Sequence, residues 1–219
     1  MIEFATGTII SLILAIPTLV HYRRRIRHFF VSKFGKLETI RAELLKLSAK
    51  ETIAFEEVQN VSTFREGKVA VKNYVDLMSA SCCPQIRRKL GGWMVRFVKS
   101  NDLSFTRVAV PKLGNVLLAD VISEIMEIPL VIARQEDHHH IADGKKYDGQ
   151  MLDTDRVILV DDIASDAEFL DKALDAIGSS KVAAIVTLIN RKEGNCDEVF
   201  KAKGVPFMPL INLEDADLK

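Results

Sequence analysis

The sequence has few cysteines and no net charge. The first argues against a disulfide-rich protein, and the second against a protein drawn to nucleic acid by its overall charge. Among 219 residues there are three cysteines, one tryptophan and six prolines, while 30 basic side chains balance 30 acidic ones. Balanced charge provides no overall field that would draw the protein to nucleic acid. Internal repeats and low-complexity linkers are also lacking. The hydrophobic content of 48% instead suits one globular domain with a substantial core, with room for an appendage.

The cysteines do not form a disulfide framework or a metal site. Their number is odd, and the neighbours Cys82 and Cys83 could bridge each other only with strain. Cys196 has no second cysteine at metal-ligand spacing. We therefore expect reduced thiols in a cytosolic compartment.

The N-terminal segment resembles a membrane anchor. Residues 4–20 carry no charged side chain and end just before a basic cluster at residues 23–27. A length of 17 residues is at the short end of the ~17–25 that span a bilayer. A secretory signal would place its basic residues before the apolar run. The positive-inside rule favours a single-pass helix in the inner (cytoplasmic) membrane with everything downstream in the cytoplasm, although a buried or interfacial helix is the alternative.

Residues 1–30 are thus predicted to be an anchor with a basic juxtamembrane segment, and residues 31–219 the folded domain. From residue 86 onward, helical periodicity alternates with short apolar β-prone runs. This alternation predicts an α/β fold with a doubly wound, mostly parallel sheet. The predicted strands are residues 105–110, 130–133, 157–160, 182–189 and 207–211, and the predicted helices are residues 34–50, 84–99, 114–127, 167–177 and 197–203.

Two adjacent acids are the most informative feature of the chain. The apolar run Val157–Val160 ends in Asp161 and Asp162, and a short turn of small residues leads into a helical pattern. Carboxylates accept hydrogen bonds from hydroxyls, and the amides at a helix N-terminus attract phosphate. Ligands bind at the carboxyl ends of strands in open α/β sheets. The pattern therefore predicts a sugar-phosphate site, with a solvated strand end as the alternative.

Four blocks, in order, resemble the type I phosphoribosyltransferase family, and within it the orotate phosphoribosyltransferases. The resemblance covers roughly residues 60–212, and a weaker fifth block, Phe64–Lys68, is similar to part of the family's substrate hood. It implies the family's α/β fold with a small hood region, the substrate phosphoribosyl pyrophosphate (PRPP) with Mg²⁺, and a homodimer. The four blocks are Val157–Ile163, Ala109–Asn115, Leu130–Glu136 and Val186–Glu193.

The resemblance implies a role for several residues at the sugar phosphate. Asp161 and Asp162 would hold the ribose hydroxyls and, indirectly, the Mg²⁺ that accompanies PRPP. Lys112 and the backbone near Gly114 would neutralise the pyrophosphate, although a solvated lysine is the alternative. The turn with Ser165 and Ala167 lies where the family binds the 5-phosphate.

The remaining implied roles concern the base and a mobile loop. Arg134, His138 and His140 would close over the site from the loop that ends near Gly149. The three consecutive histidines also suit a flexible surface or, less well, a metal site. Arg191 matches an arginine that contacts the pyrimidine carboxylate, with a strand-end ion pair as the alternative. Arg65 and Lys68 would reach the substrate from the hood.

The chain departs from the family where the 5-phosphate would bind. Ser165-Asp166-Ala167-Glu168 replaces a glycine-containing turn, and Ala167 would be strained there if its φ were positive. Asp166 and Glu168 place two negative charges where the negatively charged 5-phosphate would bind. A contact between like charges at ~4 Å costs about 4 kcal/mol at a surface-like effective dielectric constant. That energy corresponds to about 1,000-fold in affinity. In the loop, histidine stands at residue 138, where the family carries a lysine that stabilises departing pyrophosphate.

Two functions therefore fit the sequence. One is a membrane-anchored phosphoribosyltransferase-like protein that transfers ribose 5-phosphate between PRPP and a nitrogen base, with reduced or altered activity. The alternative is a non-catalytic nucleotide- or nucleoside-binding effector on the same fold. Neither predicts direct binding of nucleic acid, because the basic cluster has no aromatic stacking platform.

Overall fold

The structure of the protein is a computed structural model of the full chain. It describes residue 40 and residues 42–44, 55–62, 68–111, 113–134, 146–192 and 194–213, with only the backbone of residues 55–62 and 68–74. The N-terminal helix predicted for residues 4–20 and the boundary near residue 30 lie outside this part. Among the described residues, no helix has both the length and the apolar character to span a membrane.

A hairpin and two helices precede the main sheet. Strands β1 (Phe55–Ser62) and β2 (Lys68–Val75) pair antiparallel. Helix α1 (Leu77–Cys82) begins where the Asp76 carboxylate accepts the Ser79 amide at 2.9 Å, a standard N-cap. Helix α2 (Pro84–Ser100) starts with proline, which needs no backbone donor there. Of the helix predicted at residues 34–50, residues 40 and 42–44 are described, and these are helical.

The main sheet has six strands in the order β5-β4-β3-β6-β7-β8, and every neighbouring pair except β4–β5 is parallel. The prediction of a mostly parallel, doubly wound α/β fold is therefore confirmed. The strands are β3 (Arg107–Val110), β4 (Leu130–Ala133), β5 (Tyr147–Asp148), β6 (Val157–Ala164), β7 (Val182–Asn190) and β8 (Phe207–Asn212). Between them lie a 3₁₀ turn (Leu113–Asn115), α3 (Val116–Met126), α4 (Glu168–Ile177), a second 3₁₀ turn (Ser179–Lys181) and α5 (Cys196–Ala202).

The central strands are buried on both faces, because helices cover each side of the sheet. Ile158 and Val160 of β6 belong to the core shared with α2 and α3. Val157 and Leu159, which alternate with them, belong to the core shared with α4 and α5. This arrangement explains the continuous apolar run at this strand, since a strand covered on both faces does not alternate with polar residues.

Two strand predictions were inaccurate. The strand predicted at residues 157–160 continues to Ala164, so the acidic pair lies inside β6 rather than beyond its end. The cause is the neighbouring strand: Asp161 pairs with Thr187 and Ala164 with Asn190, so β7 supplies ladder partners for residues of low β-propensity. Strand β5, within a segment predicted to be a loop, pairs antiparallel with β4 at the sheet edge.

The strand order reverses between β3 and β6. From β3 the chain passes through α3 to β4 on one side, whereas β6 is followed by β7 and β8 on the other. The connecting helices consequently pack on opposite faces of the sheet. A reversal of this kind opens a ligand-binding crevice at the carboxyl ends of the two strands.

At the opposite, amino edge, a polar network joins β3 to β6. The Asp155 carboxylate accepts hydrogen bonds from Arg107 Nε at 2.5 Å, the Leu152 amide at 2.6 Å and the Thr106 hydroxyl at 2.7 Å. The hydrogen bond from Arg107, followed by that from the Leu152 amide, lowers the pKa of Asp155 to about 2. A carboxyl group whose pKa is lower in the folded than in the unfolded chain stabilises the native state at pH values above the unfolded pKa. This stabilisation is lost as the pH falls toward the folded pKa.

We predict that Asp155→Asn lowers the melting temperature at pH 7. The difference from the parent protein should shrink as the pH falls from about 4, the ordinary pKa of an aspartate, toward the folded value of about 2. Thermal unfolding followed by circular dichroism at pH 7, 4 and 2.5 measures the effect. A difference that stayed constant across this range would show that the charge of Asp155 is not what stabilises the edge.

Candidate functional site

The two acids of β6 lie at the crevice, but in different surroundings. Asp161 is buried, with 4% of its surface exposed, whereas Asp162 is half-buried. Asp161 Oδ1 accepts the Asp162 amide at 3.0 Å, and Asp162 Oδ1 accepts the Ile163 amide at 2.8 Å. Asp162 is therefore the acid that a ligand in the crevice reaches more directly.

The turn after β3 forms the facing side of the crevice. Leu113 is 68% exposed, Gly114 is half-buried and Asn115 is buried. The Nδ2 amide of Asn115 donates a hydrogen bond to Asp161 Oδ1, which joins this turn to the acidic pair. Asn115 is not among the site residues that the sequence predicts. A polar residue just before an apolar helical run is a signal for a cap, but not for a contact 46 positions away.

A second buried polar residue, Thr187, lies at the level of the acidic pair. It is opposite Asp161 in the β6–β7 register and has no exposed surface. Within the described residues, its hydroxyl has no hydrogen-bond partner. The carboxyl end of this sheet is thus polar across β6 and β7, in contrast to the apolar strand centres.

The turn that leads into α4 contains Ser165, Asp166 and Ala167. Ala167 has φ −82° and ψ −14°, an ordinary right-handed conformation, so alanine is not strained there. Asp166 Oδ1 accepts the Glu168 amide at 3.0 Å. An amide of the first helical turn, which could otherwise donate to a phosphate, is thus bonded to a carboxylate of the chain itself.

The loop after β7 packs closely on this turn. A Cβ atom built on Gly194 would lie 2.2 Å from the Ser165 carbonyl oxygen and 2.8 Å from Asp166 Cα. Only glycine allows this approach without movement of the backbone. Arg191, in the same loop, donates its amide to the Ala164 carbonyl at 2.9 Å, so it lies beside the end of β6.

The geometry excludes Cys196 as a nucleophile of this site. The residue begins α5 and is buried, with 2% exposed surface. Burial, together with the negative charges of Asp166, Asp197 and Asp161, raises the pKa of its thiol to about 12. The thiol therefore stays protonated at neutral pH, and a thiol is a weak nucleophile compared with a thiolate.

Arg134 is held at the edge of the sheet. Its Nε donates to Asp148 Oδ2 at 2.9 Å and its Nη2 to Asp148 Oδ1, a bidentate ion pair between β4 and β5. Gly149 follows with φ +98°, and a Cβ there would lie 2.8 Å from the Leu130 carbonyl oxygen. The predicted role of Arg134 in covering the site would require this pair to open.

The structure thus brings together six of the predicted site residues at the carboxyl ends of β3, β6 and β7: Asp161, Asp162, Gly114, Ser165, Ala167 and Arg191. Arg134 lies after the neighbouring strand β4, and Lys68 begins β2, where only the backbone is described. The other predicted residues, Lys112, His138, His140 and Arg65, lie outside the described residues, and their roles stay predictions.

A resident metal site is not found in the described part of the chain, where no three His, Cys, Asp or Glu side chains lie together. The acidic pair suits a different mode of binding. Magnesium is commonly held by one or two carboxylates, with water and substrate phosphates as its other ligands. The donor set at the end of β6 therefore fits a magnesium ion that arrives with a diphosphate.

Comparison with known proteins connects this geometry to a family. A sequence model described as "Phosphoribosyl transferase domain" matches residues 84–212, which include all six strands of the main sheet. The orotate phosphoribosyltransferase of Archaeoglobus fulgidus is 32% identical over 145 residues, which cover 65% of this chain and 74% of that protein.

Solved structures share the fold at lower identity. UMP synthase of Leishmania donovani superposes with a TM-score of 0.64 and 23% identity over 82% of this chain, which spans 37% of that longer protein. Orotate phosphoribosyltransferase of Mycobacterium tuberculosis H37Rv, in complex with PRPP, superposes with a TM-score of 0.57 and 22% identity. That likeness covers 82% of this chain and 98% of the other. At these identities the likeness concerns the fold.

Proposed function

The chain belongs to the phosphoribosyltransferase family, and on that basis we propose that it transfers ribose 5-phosphate between PRPP and a nitrogen base. The observation that carries the proposal is the position of the acidic pair. Asp161 and Asp162 lie in the carboxyl-terminal half of β6, at the point where the strand order reverses and close to the N-terminus of α4. Carboxylates for the sugar hydroxyls and amides for a phosphate thus lie in one place.

The proposed reaction breaks the bond between C1 of the ribose and the pyrophosphate oxygen. A bond from C1 to a nitrogen of the base forms, and that nitrogen releases the proton it carried. The pyrophosphate departs with the electron pair of the broken bond. Positive charge develops at C1 in the transition state, and nearby carboxylates stabilise this charge. Asp162 would orient the ribose hydroxyls directly. Asp161, which is more buried, would hold Asp162 in position.

The phosphate groups would bind on both sides of the acids. The amides of the α4 turn, at Ser165 and Ala167, would receive the 5-phosphate. Lys112 and the backbone at Gly114 would receive the pyrophosphate together with its magnesium ion. When bound, that ion supplies positive charge that neutralises the leaving group.

The base would bind near the end of β7. Arg191 lies beside Ala164, and its guanidinium suits a carboxylate because the two groups pair in a planar, bidentate geometry. This chemistry favours an acidic pyrimidine such as orotate, the substrate in the name of the related enzymes. Arg134, His138 and His140 from the loop, and Arg65 and Lys68 from the hood, would complete the enclosure.

Calorimetric titration with PRPP and magnesium tests the proposal. We expect the parent protein to bind at millimolar concentration or better, and Asp162→Asn to bind about 10- to 100-fold more weakly, since a hydrogen bond to a charged group is lost. The variant should fold normally, because the asparagine oxygen can still accept the Ile163 amide. No heat from the parent protein at millimolar PRPP would exclude the enzymatic function.

The alternative is an effector that binds a nucleoside or nucleotide without turnover, and one contact provides a test of it. The carboxylate of Asp166 already bonds to the Glu168 amide, in the turn where the 5-phosphate would bind. A nucleoside has no phosphate and would not meet this charge. Tighter binding of a nucleoside than of PRPP in the same calorimeter would favour the effector over the transferase.

Location and assembly are separate proposals. Residues 4–20 would hold the domain at the cytoplasmic face of the inner membrane, and the family resemblance implies a homodimer. Co-sedimentation of the full chain with lipid vesicles, compared with a chain that lacks residues 1–30, tests the anchor. Equal recovery of the two chains in the soluble fraction would exclude it.

A further inference from the structure

We propose that Asn115 is a positioning residue, which fixes the acidic pair of β6 from the opposite side of the crevice. Asn115 ends the 3₁₀ turn after β3 and occupies the N-cap position of α3. Asparagine is among the preferred residues there, because its side-chain oxygen usually accepts an amide of the first helical turn. In this protein, Asn115 makes no such bond. Its side-chain amide donates a hydrogen bond to Asp161 instead.

The contact has a defined polarity. Oδ1 of Asp161 already accepts the backbone amide of Asp162, so it faces Asn115 as an acceptor, and the amide nitrogen of Asn115 is the donor. Both residues are buried, with 3% of Asn115 and 4% of Asp161 exposed. A buried carboxylate needs donors, since it is expensive to remove from water without them. Asn115 is a donor that reaches Asp161 from outside β6.

The same carboxylate oxygen links Asn115 to the second acid. Oδ1 of Asp161 accepts both the Asn115 amide and the backbone amide of Asp162. A continuous chain of hydrogen bonds therefore runs from the turn after β3 to the backbone of Asp162. Because Asp162 is the more accessible acid, its placement toward a ligand depends on a residue that is 47 positions earlier in the sequence.

This arrangement also leaves the start of α3 open. With Asn115 turned toward Asp161, the first-turn amides of α3 receive no side-chain cap from it. In the proposed function, which this inference rests on, the pyrophosphate binds at the turn just before those amides. One side chain thus orients the acids and keeps amides available beside the leaving group.

Replacement of Asn115 by serine separates positioning from helix capping. Serine is also a good N-cap residue, but it is too short to keep the contact with Asp161. If Asn115 positions the acids, the amide of Asp162 should exchange its hydrogen with solvent about 10-fold faster in Asn115→Ser, and PRPP with magnesium should bind about 10-fold more weakly. Exchange of amides in the middle of α3 should be unchanged.

Asn195→Ser is the matched control. Asn195 is also an asparagine at a helix N-cap without a side-chain cap bond, but it is exposed and precedes α5. The control should leave the Asp162 amide and ligand affinity as they are in the parent protein. Hydrogen exchange followed by NMR on the full chain, with calorimetry on the same samples, gives both readouts.

The outcomes distinguish this inference from the proposed function. Unchanged exchange at Asp162 in Asn115→Ser would overturn the inference, as would faster exchange along the whole of α3, which would indicate a structural cap. Faster exchange confined to Asp162 and Ile163 would support the positioning role even if the parent protein failed to bind PRPP. In that case only the proposed function would be lost.

Discussion

Replacement of Asp166 by threonine is expected to strengthen the binding of PRPP by between about 10-fold and about 1,000-fold. The upper value corresponds to removal of a like-charge contact worth about 4 kcal/mol at a surface-like dielectric constant. Exposure of Asp166 to solvent reduces that energy, which gives the lower value. A threonine hydroxyl can still accept the Glu168 amide, so the turn should be kept. Calorimetry with PRPP and magnesium measures the gain.

Asp175→Asn is the control for charge alone. Asp175 is in the last turn of the same helix and is exposed, with its Oδ1 3.8 Å from Lys203 Nζ. Asp175→Asn removes one negative charge, as Asp166→Thr does. Asp175 is at the opposite end of α4 from the proposed 5-phosphate site, so salt screens most of its interaction with a bound phosphate. We expect no change in PRPP affinity for this variant. Equal gains in the two variants would show that net charge, and not the carboxylate at the start of α4, limits phosphate binding.

Replacement of Gly194 by alanine is expected to destabilise the protein by about 3 kcal/mol and to weaken ligand binding as well. The added Cβ would lie 2.2 Å from the Ser165 carbonyl oxygen, so either the loop after β7 or the turn before α4 has to move. A shift of this turn alters both the Asp166 contact and the amides beside it. Chemical denaturation measures the change in stability, and calorimetry with PRPP measures the binding.

Asn195→Ala is the neighbouring control, because Asn195 is exposed and makes no cap bond. It should change stability by less than about 0.5 kcal/mol. If Gly194→Ala behaved like this control, the close approach of the two loops would be of no consequence for the fold or the site.

The architecture was largely predictable, because its signals are local and periodic. The run at Val157–Val160 is buried on both faces, and helical spacing marks α2, α3 and α4 in the sequence itself. The acids that follow were identified for the same reason, since an abrupt change from apolar to acidic residues stands out in a one-dimensional pattern. Their membership of β6 was not predictable, because β7 supplies the pairing.

The contacts that shape the site could not be predicted, because they join positions that are distant in the sequence. Nothing near Asn115 indicates that its amide serves Asp161 rather than α3. The requirement for glycine at position 194 depends on the backbone of Ser165, in a different loop. For Ala167 the sequence suggested strain only if φ were positive, and the observed φ of −82° removes that concern.

The Asp155 network gives the protein a fixed reference point for experiments. It ties β3 to β6 at the amino edge, and the ladder between these strands extends only to Ala109 and Leu159. Beyond that point β6 is paired with β7 alone, so the two strands are free to separate slightly at the opposite end. The signal of a fluorophore or isotope label near Thr106 should therefore not change when a ligand binds, whereas the signals of labels around the crevice should change. The label near Thr106 thus provides an internal standard within one molecule.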